Sequence, residues 1–172
     1  MKQFYIVSAV GKDRPGLVNR VTQLIHGLGG NIELQRSNRM ASEFAMLLLF
    51  SLENPPDDLV DQFKALNSDT LYVSARSAVA ESHAAEGARS LHLIASGADQ
   101  PGIVEAVTLV LFKEQVNIES MDYDTESAPF TGDLLFRMKA RLMLPEGLDQ
   151  AELRNHLREL EDEYNFDILL EP

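Results

Sequence analysis

Apolar residues follow two periods along this chain, and the periods alternate. Residues 4–10 are rich in β-branched and aromatic side chains, the composition of a strand. From Pro15 the spacing changes: Leu17, Val18, Val21, Leu24, Ile25 and Leu28 recur at helical intervals. Pro suits a first turn and Gly29-Gly30 a stop, so 15–28 reads as a helix. Residues 31–39 and 43–53 read as two antiparallel strands around a short turn. Pro55-Pro56-Asp57-Asp58 opens a second helix carrying Leu59, Val60, Phe63 and Leu66, and 71–79 is a fourth strand. The same succession follows again: strand 91–96, helix 101–115, strands 117–125 and 134–144, helix 148–164, strand 166–170.

The recurrence is also literal. Gly11-Lys12-Asp13-Arg14-Pro15-Gly16-Leu17-Val18 returns as Gly97-Ala98-Asp99-Gln100-Pro101-Gly102-Ile103-Val104, 86 positions later. The same offset pairs Val21-Thr22 with Val107-Thr108 and Asn31-Ile32-Glu33 with Asn117-Ile118-Glu119. A period this long marks a duplicated domain and not a stacked repeat. Each copy has the order βαββαβ. With right-handed crossovers that order gives an α+β, ferredoxin-like unit: a four-stranded antiparallel sheet with both helices on one face. Domains are expected over 1–80 and 90–172, with a small, polar linker over 81–89.

The free sheet faces should differ. Phe44 to Phe50 is apolar at every position, a pattern expected of a strand buried on both sides, so the open face of copy 1 should pack against something. The corresponding strand of copy 2 alternates, with Arg137, Lys139 and Arg141 on one side. Those cations either pair with neighbours such as Glu119 or form a docking stripe for an acidic partner.

Charge narrows the classes. The 172 residues carry 15 Lys/Arg and 27 Asp/Glu, a net charge of −12. Copy 1 is neutral and residues 90–172 hold −11, so direct nucleic-acid binding and docking on an anionic membrane are disfavoured. There is no Cys, which removes disulfides, thiolate metal sites and Cys nucleophiles. The N-terminus lacks a signal-peptide pattern, and the expected compartment is the cytoplasm. His26, His83, His92 and His156 are scattered without metal-ligand spacing, and no nucleophile elbow or phosphate loop is present, so no catalytic residue, metal or cofactor is expected. The carboxylates Glu159, Glu161, Asp162 and Glu163 read as a solvated helix face.

Gly-x-Asp-x-Pro-Gly lies at a strand-to-helix turn in both copies. The first amides of a helix lack intrahelical partners and carry the positive end of its dipole. A carboxylate can accept there from the N–H groups of Gly16 and Leu17, while Asp13 or Asp99 meets an ammonium group. Asn31 and Asn117 each offer a donor and an acceptor. The candidate ligand-binding set is therefore Asp13, Pro15, Gly16, Leu17 and Asn31 with Asp99, Pro101, Gly102, Ile103 and Asn117, and a free amino acid has the matching charges. The alternative is that each Asp simply caps its helix.

The motif Gly11 to Val18, followed by Gly30-Asn31, resembles the opening of an ACT domain, and Asp99 to Val104 with Val116-Asn117-Ile118 resembles it again. Ser37-Asn38-Arg39-Met40 with Glu43-Phe44-Ala45, and Ala128-Pro129-Phe130-Thr131-Gly132 with Leu135-Phe136-Arg137-Met138, are similar to the two ACT units of the glycine cleavage system transcriptional repressor family. That resemblance implies a non-enzymatic regulator in which an amino acid, glycine by this likeness, is read out through contact with a protein such as a transcriptional activator, in a homo-oligomer. A tandem ACT interaction module without ligand and a small ferredoxin-like hydrolase are the alternatives; Asp13 would repel the phosphate that such a hydrolase must hold.

Overall fold

A computed structural model describes residues 2–79, 89–128 and 132–172. The chain divides into two compact units, Met1–Glu81 and Ser82–Pro172. The expected linker, His83 within it and part of the Ala128 to Gly132 segment lie outside the described residues; Arg89, placed in that linker from sequence, opens a strand instead.

The first unit runs β1 (Gln3–Lys12), α1 (Leu17–Gly27), β2 (Asn31–Met40), β3 (Glu43–Leu52), α2 (Leu59–Lys64), β4 (Leu71–Ala78). The second runs β5 (Arg89–Ala98), α3 (Ile103–Lys113), β6 (Asn117–Ser127), β7 (Leu134–Leu144), α4 (Gln150–Tyr164), β8 (Phe166–Glu171). The sheets have the orders β2-β3-β1-β4 and β6-β7-β5-β8, with every pairing antiparallel. This is the ferredoxin-like arrangement, twice.

One side of each sheet meets the helices. In unit 1 Val7 and Ala9, Met46, Leu48 and Phe50, and Val73 and Ala75 alternate onto Val21 and Ile25 of α1 and Leu59 and Phe63 of α2. In unit 2 Leu93, Phe136, Met138 and Leu142 meet Ile103, Val107 and Leu111 of α3 and Leu153 and Leu157 of α4. Burying such a side chain contributes about 1.5–3 kcal/mol. The helical stripes thus fix which strand face is inside.

Sequence periodicity overstated two features. Pro15 and Pro101 stand outside their helices, which start after Gly16 and Gly102, so proline sets the approach and not the first turn. The second helix of unit 1 has only six residues, against 15 for α4. The outer face of β3 is apolar and not covered within the chain: Leu47 is 48% exposed, while Ala45 and Leu49 are half-buried. The run of apolar residues could not distinguish a doubly covered strand from one with an apolar outer face.

The ends of α1 and α3 share one geometry. Gly29 N–H donates to His26 O and Gly30 N–H to Ile25 O; Gln115 N–H donates to Phe112 O and Val116 N–H to Leu111 O. Both are Schellman caps, which require a left-handed residue. Gly29 supplies it in unit 1 at φ +73° and Gln115 in unit 2 at φ +56°.

Of the acidic run on α4, Glu161 is not a solvated surface residue. It accepts two bonds from Arg154, at 2.8 and 3.0 Å, and one from the Ile168 N–H of β8 at 2.6 Å. The carboxylate ties its helix to the edge strand that follows.

Candidate ligand site at the helix N-termini

The repeated motif separates into parts with different physical tasks. Its first glycine is a spacer between strands. A Cβ on Gly11 would lie 2.3 Å from Thr70 O, and one on Gly97 would lie 2.5 Å from Phe166 Cβ. No side chain fits either place.

The aspartates follow. Asp13 N–H donates to Ser42 O at 2.9 Å and Asp99 N–H to Leu134 O at 2.8 Å, which holds each backbone against the neighbouring hairpin. Neither carboxylate caps its helix: the N-caps are Gly16 and Gly102, at φ +93° and +97°, and neither helix start accepts a side-chain cap. Leu17 and Ile103 follow as the first helical residues. The capping alternative drawn from sequence is therefore not what the aspartates do. Their side chains turn toward the second strands. Asp13 Oδ2 lies 3.7 Å from Arg39 Nη1, and Asp99 Oδ1 accepts from Tyr123 Oη at 2.5 Å.

The two copies differ most at this point. Around Gly16 a Cβ would meet nothing within 4 Å, whereas one at Gly102 would approach Tyr164 Oη at 3.7 Å. Gln100 Nε2 donates to Tyr164 O at 3.1 Å, drawing the second turn onto the end of α4. Burial, followed by the Asp99 bond, pushes the Tyr123 phenol up to about 12. The unit 1 turn is the more open one.

The asparagines are not beside the aspartates of their own unit. Asn31 pairs with Ser51, which pairs with Phe4 at the start of β1, while Asp13 follows Lys12 at its end. Eight strand residues at about 3.3 Å each put roughly 26 Å between those rows. Asn117 likewise pairs with Met143, in the row of Ser90, with Asp99 beyond Ala98. A strand followed by a returning helix necessarily places the two loops at opposite ends.

Asn31 belongs to a polar cluster instead. Glu33 Oε1 accepts from Asn31 Nδ2 at 3.1 Å, from Ser51 Oγ at 2.6 Å, and pairs with Lys2 Nζ at 2.8 Å. The bonds from Lys2, Ser51 and Asn31 hold the Glu33 carboxyl at about 2. A register shift at Ile32/Leu34 recurs at Ile118/Ser120. The repeated Asn-Ile-Glu is thus a β-bulge that turns its Glu onto the open sheet face. Tyr123, Arg39 and Glu33 were not identified from sequence; only the repetition of Asn-Ile-Glu signalled one of them.

On the open face of unit 2, Arg137, Lys139 and Arg141 lie in register with Asp124, Asp122 and Ser120 of β6. Arg141 Nε meets Glu119 Oε2 at 2.5 Å. Among the described residues Arg137 and Lys139 make no ion pair.

Comparison with known proteins follows the same division. The profile of the ACT domain matches residues 3–79, the first unit. The glycine cleavage system transcriptional repressor of Escherichia coli (strain K12) is 24% identical over 95% of this chain and 87% of its own length. Among solved structures, an unknown protein from Galdieria sulphuraria is 34% identical, with a TM-score of 0.88 over 99% of this chain and 98% of that one. A structure provisionally assigned as a glycine cleavage system transcriptional repressor superposes with a TM-score of 0.69 at 21% identity, covering 99% and 96%. The first unit thus matches the ACT domain, the second repeats its fold and its motif, and the chain is similar along its length to the glycine cleavage system transcriptional repressors.

Proposed function

We propose that the chain is a non-enzymatic cytoplasmic regulator that senses a small amino acid, glycine first among the candidates, and acts through contact with another protein. The observation that carries this reading is the glycine-started helix without a side-chain cap, repeated beside an aspartate in both units. Free amides attract the ligand carboxylate and the aspartate attracts its ammonium group. Unit 1 is the favoured binder, because among the described residues the Asp13 carboxylate has a long contact to Arg39 alone, whereas Asp99 is held by Tyr123. A ligand touching both Asp13 and Asn31 requires those ends from two copies of the chain, which is why the reading includes a homo-oligomer. The likeness to repressors supports glycine cleavage gene expression as the output, without direct contact to nucleic acid. Arg137 and Lys139, without an ion pair among the described residues, stand beside Arg141 and suit an acidic segment of the partner.

Calorimetry with a panel of amino acids tests the sensor. Glycine or a near relative is expected to bind, and Asp13→Ala and Asn31→Ala to weaken binding at least tenfold. Absence of binding by every amino acid removes the sensor and leaves a tandem ACT interaction module.

A further inference from the structure

The internal duplication supplies a control for every surface position. The outer side of α1 presents Arg20, Gln23 and His26; the equivalent positions of α3, 86 residues on, are Ala106, Leu109 and Phe112. Leu109 is 47% exposed and Phe112 77%. The same fold therefore forms with a polar outer helix face, and while Ala106 packs in part against the core of unit 2, Leu109 and Phe112 are apolar without belonging to that core.

A second difference lies beside the strip. α4 has 15 residues, about 22 Å of helix, where α2 has six. The longer helix walls a groove of about 610 Å³ along α3, with Ala106 and Leu109 in its lining. Glu105, Glu159 and Glu163 rim it, and among the described residues none of the three has an ion-pair partner. Lys113 is the one Lys or Arg in the lining, and His156 Nδ1 lies 2.8 Å from Glu114 Oε1.

We infer that the α3–α4 face of unit 2 docks a basic amphipathic helix of a partner protein, its apolar side on Leu109 and Phe112 and its Lys/Arg side against Glu105, Glu159 and Glu163. Leu109 stands in the groove lining and Phe112 one turn on, outside it, so the apolar strip continues from the groove along α3, a surface on which an amphipathic helix can lay its apolar face. The rim charge selects the occupant: an anionic membrane is repelled, and symmetric pairing with a second copy sets the same three carboxylates against themselves. The inference deepens the reading of a regulator that works by protein contact, but it does not depend on amino-acid sensing.

The test uses the full chain and two fluorescein-labelled helical peptides, LKKLLKLLKKLLKL and its Glu-for-Lys counterpart, in fluorescence anisotropy. The cationic peptide binds and the acidic one does not. Leu109→Gln with Phe112→Gln, a charge-neutral change to the kind of face unit 1 carries, weakens binding at least tenfold. Reversal of the rim by Glu105→Lys, Glu159→Lys and Glu163→Lys does the same. Equal binding to the Gln variant would show attraction by charge alone and overturn the proposal. So would tight binding of the acidic peptide, or a dimer in sedimentation that the Gln variant converts to monomer, which assigns the strip to a second copy. Failure of the amino-acid titration concerns the Asp13 turn and leaves this result standing.

Discussion

The Tyr123 phenol donates to Asp99 Oδ1 at 2.5 Å, and among the described residues the equivalent Asp13 has no such partner. Tyr123→Phe is expected to free Asp99 and raise the amino-acid stoichiometry per chain from one toward two, read by calorimetry. The same bond appears in alkaline titration. An ordinary tyrosine ionises near 10 and this one at about 12. Because the folded value is raised, the associated stability is complete below pH 10 and is lost as pH rises toward 12. Denaturation midpoints of Tyr123→Phe should decline less steeply across that window.

The acid side belongs to Glu33. Its carboxyl is held at about 2 against an ordinary 4.5, so its contribution is complete above 4.5 and lost as the pH falls toward 2. Urea midpoints of Glu33→Gln between pH 5 and 2 should follow a flatter line than those of the parent. The variant also releases Asn31 Nδ2, so its amino-acid affinity reports whether that amide must be held in place.

Glu161 joins α4 to β8. Burial pushes its carboxyl up, but the Arg154 bonds and the Ile168 N–H outweigh burial and leave it below the ordinary value. Glu161→Ala is expected to cost about 2 kcal/mol, since a hydrogen bond to a charged group is worth roughly 1.5–3 kcal/mol. Chemical denaturation measures this, and exchange of the Ile168 amide should accelerate.

The two Schellman caps make a paired test. Gln115 occupies the left-handed position that Gly29 fills in unit 1. Gln115→Gly should stabilise unit 2, and Gly29→Ala should destabilise unit 1, each by about 1 kcal/mol, the order of the penalty for an L-residue in that conformation. Thermal midpoints should move in opposite directions.

These contrasts show what the chain reveals before it folds. Element order was legible because the 86-residue offset repeats both motif and periodicity, and strand register follows from the apolar faces. The distance between Asp13 and Asn31 was not, although both flank one helix: sequence proximity conceals that a returning helix carries the chain to the far end of its sheet. Tyr123 was hidden by the bulge at Glu119, which interrupts the alternation used to assign strand faces. The exposure of Leu109 and Phe112 was not legible either, because a helix apolar on nearly every side has the composition of a buried one.

Gly11 and Gly97 carry a last consequence. Their side-chain space is filled by residues at the start of the neighbouring edge strand, Thr70-Leu71 and Phe166, whatever the adjoining helix end holds. A pattern search anchored on that glycine retrieves chains that pack this way, including those that have lost every ligand. The position that discriminates sensors from mute relatives lies further on, at the aspartate and whatever the second strand sends to meet it.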